Sequence, residues 1–489
     1  MTERLRPFPA GGTFRRAAWR ALEHLPTAGG APFWADVQIL RQPLAFTRAV
    51  HARLGPVART VIGGQPHVLL LSASALEAVL LDRDRVFSAK GGWSSLMGEL
   101  FPRGLLLRDG QEHRHHRRLL LPPLKRDAVQ GHLQRMVEPV RLAVAQWLQM
   151  GHLPGLGLPA LRNLSLSRSA DLLLALQDGL EVRRALRDFG ELVEASTALI
   201  RLPLIGYRYA RGLRARQRLV AQLTSLTRQR RAHPGPDLLS QLACARDEDG
   251  LRLQDDEIVD HLVFLMMAAH DTTASALTSA LVLLALHPAW QERLREELAD
   301  EPEPVHCPAT ARAGSRTGSG ARPGPGTAAK PGYETDLMVR SAARGLMGCV
   351  IREVLRLHPP VSFFQRQTLE EVAVDGVRLP RGALLTLAPL HVQRDARWWA
   401  HPDEFLPDRF LPDRPIAAPL PHSHAWTPFG GGVHVCLGLH LAEAQMRLVL
   451  SEVLSRAQLS LLPGSRPRWR HAPITHPVER MPLLLRPLG

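Results

Sequence analysis

The chain has 489 residues, 45% of them hydrophobic, and 61 Lys+Arg against 46 Asp+Glu, for a formal charge of +15. This is globular composition with length for about three average domains, and its positive charge is nearly all arginine, because Lys90, Lys125 and Lys330 are the only lysines. The arginines are dispersed without a basic–aromatic repeat, which argues against nucleic acid as a partner, and Cys244, Cys307, Cys349 and Cys436 show no C-x-x-C spacing, which argues against a disulfide framework or a zinc site and suits a reducing cytoplasm.

Residues 1–43 read as a loose N-terminal arm rich in Arg, Pro and Gly. It has no signal-peptide core, and no run of about 18 apolar residues occurs there or later, so no membrane span is expected and the location expected is cytoplasmic. Leu44 to Leu54 reads as a helix. Val57–Ile62 and His67–Leu71 flank Gly63-Gly64-Gln65-Pro66 and read as a β-hairpin, followed by a helix from Ser74 to Leu81. Ala89 to Arg103 reads as an irregular apolar loop. Gly110 to Leu120 reads as a basic helix, with His113 and Arg117 on one face. That face suits a pair of carboxylates, though taken by itself it is better read as a solvated basic surface. A metal at His113 and His116 is disfavoured by the charges of Arg114, Arg117 and Arg118.

Asp127 to Arg231 is mostly helical by periodicity, broken at Gly151–Gly157 and Pro203. A polar, hairpin-like stretch from Arg246 to Leu253 precedes a long helix, Asp255 to Leu286. At its centre Ala268-Ala269-His270-Asp271-Thr272-Thr273 interrupts an apolar surface that must be buried. Polar groups there need partners, since burying them bare costs about 2–7 kcal/mol each. The Thr272 hydroxyl can bond back to the Ala268 carbonyl and loosen the helix, leaving room for O2 and water, and Asp271 can relay a proton. The bland alternative is a satisfied polar kink. A helix from Ala289 to Ala299 is followed by residues 301–332, rich in Pro, Gly, Ala, Ser and Thr, which read as a disordered insertion. Glu353 and Arg356 can pair on the next helix, which His358-Pro359-Pro360 ends.

Near the C-terminus, Cys436 closes a glycine-rich turn and opens an amphipathic helix. A sulfur at a helix N-terminus sits among unpaired N–H donors, which favours the thiolate. Gly438, with no side chain, lets that helix approach a flat ligand. The run Phe429-x-x-Gly432-x-x-x-Cys436-x-Gly438 closely resembles the haem-binding loop of the cytochromes P450. Four other stretches resemble that family in the family's order: the His113–Arg117 helix, the Asp271–Thr272 helix, Glu353-x-x-Arg356 before His-Pro-Pro, and Phe405-x-Pro-x-Arg409-Phe.

The resemblance covers about residues 44 to 460 and implies one P450 domain over 44–489, mainly α with small β-sheets. It implies haem b with Cys436 as the iron ligand, Phe429, His434 and Gly438 in the haem loop, and His113, Arg117 and Arg366 toward the propionates. It assigns Asp271 and Thr272 to oxygen activation, and Glu353, Arg356 and Arg409 to a buried network that presents the Cys436 loop. His434 stands where the family usually has Arg, so a pH-dependent donor is expected, and Ala269 stands where Gly is usual. The implied activity is hydroxylation of an apolar substrate by one atom of O2. The alternatives are a peroxide-driven or rearranging P450 and a non-catalytic haem sensor. No flavin or iron–sulfur motif is present, so electrons are expected from a separate ferredoxin and reductase docking on the thiolate side. Trp93, Leu96, Met97, Phe101, Phe264, Ala268, Val361 and Phe363 are the candidate pocket wall. The Asp271 and Cys436 stretches look closest to the branch that acts on fatty acids, retinoids and sterols.

Overall fold

Alternating apolar residues and a two-glycine turn set the first sheet. In the computed structural model, β1 (Val57–Ile62) and β2 (Gln65–Leu70) pair antiparallel, with Ile62 opposite Gln65. Gly63 and Gly64 both take positive φ (57° and 71°), the conformation that matches hairpin twist. The structure describes residues 20–29, 34–174, 180–196, 207–235, 237–247, 250–300, 345–411, 422–478 and 480–488. The insertion expected at 301–332 and the break expected at Pro203 lie outside them.

β3 (Phe87–Ser88), β5 (Phe364–Thr368) and β8 (Leu384–Leu387) complete a five-stranded sheet in the order β1-β2-β8-β5-β3. Only β2–β8 is parallel; the other neighbours are antiparallel. β6 (Val372–Val374) pairs with β7 (Val377–Leu379), β4 (His152–Leu153) and β9 (Ala457–Ser460) flank β12 (Leu483–Pro487), and β10 (Trp469–Arg470) pairs with β11 (His476–Pro477). The first sheet buries its apolar face against Leu22, Leu25 and the helix Ala73–Leu81. The arm is therefore anchored from Arg20 onward. It also forms the helix α1 (Trp34–Arg41), and Thr27 bridges to Arg59.

The remaining helices, numbered on from α1, are α2 (Pro43–Leu54), α3 (Ala73–Leu81), α4 (Ala89–Met97), α5 (Gly110–Leu120), α6 (Arg126–Met150), α7 (Leu158–Leu174), α8 (Leu180–Ser196), α9 (Arg208–Ala232), α10 (Leu238–Cys244), α11 (Asp255–Leu286), α12 (Pro288–Asp300), α13 (Gly345–Leu357), α14 (Pro389–Val392) and α15 (Leu439–Leu454). They pack around α11. Its C-terminal half (Ala274 to Ala285) shares one apolar core with α6, α13 and α15, and its N-terminal half (Ile258 to Met266) shares another with α7, α8, α9 and α10. Gln254 and Glu257 form a reciprocal capping box at its start. Among the described residues, α11 is the one helix apolar and long enough to cross a membrane, but 83% of that window is buried inside the protein.

α4 corrects the loop expected over residues 89–103. Ser88 caps it by accepting from the Gly91 N–H, and Asp109 accepts from the Ser88 hydroxyl and the Ala89 N–H. Gly91 and Gly92 are poor helix formers, but Gly92 lies where a Cβ would strike the Arg366 backbone at 2.5 Å. Close packing on β5 therefore outweighs helix propensity here.

Candidate active site

The Cys436 loop folds back on itself. The Cys436 N–H donates to the Phe429 carbonyl at 2.9 Å, and the Val435 N–H donates to Gly432 at 3.1 Å. Gly432 has φ +60°, and a Cβ there would lie 2.0 Å from the Leu80 carbonyl oxygen, so only glycine fits between loop and α3. Gly438 caps α15, and its N–H points at the sulfur. Burial raises the Cys436 thiol pKa; the Gly438 N–H and Arg117 oppose that without cancelling it. The N–H donor acts in the expected direction, toward the thiolate, but burial outweighs it, so metal ligation is what would deprotonate the sulfur. Yet Cys436 counts as solvent-exposed. A sulfur both exposed and desolvated faces an internal space. A side chain on Gly438 would meet nothing within 4 Å, so that space continues over the start of α15.

The opposite wall is on α11. In a helix otherwise buried along its centre, Leu265, Met267, Ala268, Ala269 and Thr272 are partly exposed. Leu437, beside Cys436, packs against the same core cluster as Leu265, Met267 and Ala268. The partly exposed stretch of α11 and the residue next to the sulfur therefore border the same core. Thr272 Oγ1 donates to the Ala268 carbonyl at 2.7 Å, and Ser165 Oγ on α7 donates to the Ala269 carbonyl at 3.2 Å. The helix remains α-helical through this point. Asp271 is buried and turned to α7, where Arg162 Nε donates to its Oδ1 at 2.6 Å. The sequence offered no signal for Arg162, which lies 109 residues earlier.

A third group of residues converges from α5, β5 and the loop. The His113 and His434 rings lie 3.9 Å apart between centroids. Burial, then Arg366, His113 and Arg117, push His434 down to about 2. Burial, then Arg117 and Arg366, push His113 down to about 4. Burial lowers Arg366 to about 10, opposed by Asp109 and Asp82. These groups are held together against their mutual repulsion and lower one another's proton affinity, an arrangement that suits a bound dianion. In the protein alone these surroundings keep His434 neutral between pH 5 and 8, and a propionate beside it would raise its proton affinity.

These observations test the fit of haem. The exposed but desolvated sulfur, the open volume at Gly438 and the cationic cluster answer to an iron ligand, a flat ring and two propionates. The donor set fits.

Glu353, Arg356 and Arg409 meet in a fully buried network. Arg356 donates through Nε and a terminal nitrogen to the two Glu353 oxygens at 2.7 and 2.8 Å, and Arg409 Nε donates to Glu353 at 3.2 Å. Arg356 also donates to the carbonyls of Gln393, Pro402 and Glu404, and the Leu406 N–H donates to Glu353. The network ties α13 to residues 393–409, ahead of the Cys436 loop.

The candidate wall residues do not share one environment. Trp93, Met97, Val361 and Phe363 are partly exposed, and Leu96 is exposed. Phe101 and Phe264 correct the expectation: both are buried in the same core, edge-on to each other at 6.2 Å.

Comparison with known proteins gives a consistent picture. The family described as Cytochrome P450 matches residues 26–152, 201–305 and 342–479. The chain is 31% identical to a putative cytochrome P450 136 of Mycobacterium tuberculosis over 455 residues, covering 92% of this chain and 86% of that one. It is 30% identical to human cytochrome P450 26C1 over 474 residues, covering 94% and 88%. A solved structure described as retinoic acid bound cyanobacterial CYP120A1 superposes with a TM-score of 0.75 at 24% identity, covering 93% of this chain and 96% of that one.

Proposed function

This chain belongs to the cytochrome P450 family, the haem-thiolate monooxygenases, and from that premise we propose that it hydroxylates a large apolar substrate of the fatty-acid, terpenoid, retinoid or sterol type. The observation that carries the reading is the partly exposed stretch Leu265–Thr272 of a buried helix, sharing its core with the residue next to Cys436. Haem, when bound, supplies the activation of O2 with electrons from a redox partner. Cys436 would ligate the iron, and His113, Arg117, Arg366 and His434 would hold the propionates. Phe429, whose carbonyl accepts the Cys436 N–H, and Gly438 fix the sulfur's direction. Thr272 keeps its hydroxyl on Ala268 and can hand a proton into the cavity, while Asp271 holds an exchangeable proton site behind it. Trp93, Met97, Ala268, Val361 and Phe363 present apolar surface to a substrate, as a hydroxylation pocket needs. The retinoic acid in the structurally similar cyanobacterial protein is a substrate class to include.

The test is spectroscopic. The reduced, haem-loaded chain with carbon monoxide should show the band of thiolate-ligated haem, and Cys436→Ala should abolish it; a wild-type protein lacking the band overturns the reading. Fatty acids, terpenes, retinoids and sterols are then screened for a spin-state shift followed by consumption. Turnover with peroxide but none with a reductant would favour the peroxide-driven alternative.

The electron donor in this reading is a separate, acidic ferredoxin with its reductase. Exposed Arg118, Lys125 and Arg126 neighbour Leu124, which shares a small core with Leu437 and Leu441, and Val433 stands exposed on the loop itself. Reduction by a ferredoxin should slow as salt rises through physiological strength. A salt-independent rate would remove the electrostatic part of this account.

A further inference from the structure

A proton relay needs an outer end, and the outer end of this one lies away from the haem cavity. Asp271 is buried, but its partner Arg162 has a side chain 37% exposed, so the pair bridges the interior and the surface. Nearby, α7 and the β10–β11 pair border an open surface cleft of about 400 Å³ lined by Leu158, Pro159, Arg470, His476 and Pro477. Leu158 lies one helical turn before Arg162 on α7. Ser275, one helical turn after Asp271 on α11, donates to the Thr475 carbonyl, which docks His476 near the Asp271–Arg162 pair, and the ring feels the charges of Arg162, Asp271 and Arg470. The groups facing Asp271 are then Arg162 from α7, His270 from its own helix and His476 from β11.

The hydrogen bonds of His476 fix its working nitrogen. Its Nδ1 lies 2.9 Å from the Ile474 carbonyl and must donate to it. Neutral His476 is therefore protonated on Nδ1, and Nε2 keeps the lone pair. Burial lowers its proton affinity, and the Ile474 hydrogen bond and then Asp271 only partly restore it, so the ring is neutral at rest and can take a proton transiently.

We propose that the cleft between α7 and β10–β11 is the proton port of this enzyme, with His476 Nε2 as the carrier and Arg162 as the residue that positions Asp271 to receive from it. The inference rests on the monooxygenase reading. In the step, an O–H bond of water or hydronium in the cleft breaks as Nε2–H forms. That N–H then breaks as the proton passes to a bridging water, another O–H of which breaks as an Asp271 carboxylate oxygen is protonated, and His476 returns to neutral. One proton moves and no electrons do. Arg162 engages Asp271 through Nε and Oδ1, and its half-exposed side chain can let go when the carboxylate is protonated.

The test uses full-length protein with two readouts. The first is an NMR titration of the His476 imidazole, which does not depend on haem: Asp271→Asn should lower its pKa, Arg162→Gln should raise it, and a signal unmoved by both overturns the proposal. The second is reoxidation of the reduced, haem-loaded protein on mixing with air-saturated H2O or D2O buffer. His476→Phe and, as a second variant, His476→Gln should slow it at least about tenfold, below the usual ~10²–10⁴ worth of a positioned proton donor, and enlarge the solvent isotope effect. Arg162→Gln should change the pH profile while leaving haem content unaltered. Unchanged rates and isotope effects in both His476 variants overturn the proposal. A missing thiolate band with carbon monoxide instead overturns the parent reading, and the imidazole titration separates the two failures.

Discussion

Individual side chains at this site are held by partners that cannot be replaced cheaply. Glu353 and Arg356 are each fully buried, and Glu353 also accepts from Arg409 and the Leu406 N–H. Glu353→Gln removes the charge that compensates two guanidinium groups, and breaking a buried pair this way costs about 3–5 kcal/mol. Denaturant melts should show that loss, together with poor haem retention. The converse change, to Arg409→Lys, keeps charge but loses the donors to the Ala400 and His401 carbonyls, so a smaller loss is expected. Gly432→Ala meets both a positive φ and the Leu80 carbonyl. Haem loading measured by absorbance should fall sharply, whereas Gly438→Ala, with open space around it in the protein alone, should fold normally and fail only in loading.

At the scale of elements, two helix starts carry testable load. Ser88 caps α4 and contacts Asp109, which lies 4.0 Å from His434, so Ser88→Ala should cost about 1 kcal/mol in thermal or denaturant melts. The start of α13 is capped from another helix: Glu297 on α12 accepts from the Leu346 and Met347 N–H groups. The chain on either side of residues 301–344 is thus tied together by one carboxylate. Replacing 301–332 with a short Gly/Ser linker should leave the melting temperature and the carbon monoxide spectrum essentially unchanged, because loop-closure entropy depends weakly on length. Glu297→Ala in that shortened chain should destabilise it by about 1–3 kcal/mol through two uncapped N–H groups.

For the whole molecule, buried neutral histidines set the response to acid. Burial lowers His67 to about 4, and His391 and His471 to about 3, against an unfolded value of 6.5. The unfolded chain therefore binds more protons than the folded one as pH falls below 6.5. The stability these groups contribute is fully present above that value and is lost on descent toward 3–4. Melting temperature should hold steady from pH 8 to 7 and drop by several degrees between pH 6.5 and 5. A profile flat across pH 5–7 would mean these rings are protonated equally in both states.

Much of this architecture was legible in the residues because it is local. The Gly63-Gly64 turn, the 32-residue α11, the Glu353-x-x-Arg356 spacing and the Cys436 loop each depend on neighbours a few positions away. The order of the motifs then identified the family. What the sequence could not carry were contacts made across space. Ala89–Met97 looked like a loop because its glycines are poor helix formers, and it is a helix because β5 demands them. Phe101 looked like pocket wall and is core, since apolar character does not say which apolar surface a residue meets. His434 looked titratable, but in the protein alone burial, and then Arg366, His113 and Arg117 from distant segments, hold it neutral. Thus the sequence by itself determined the family and the long α11 helix, and singled out Cys436 as the proposed iron ligand. Tertiary structure alone gathered His113, Arg366 and His434 and paired Asp271 with Arg162, because burial and long-range Coulomb fields exist only once the chain has closed.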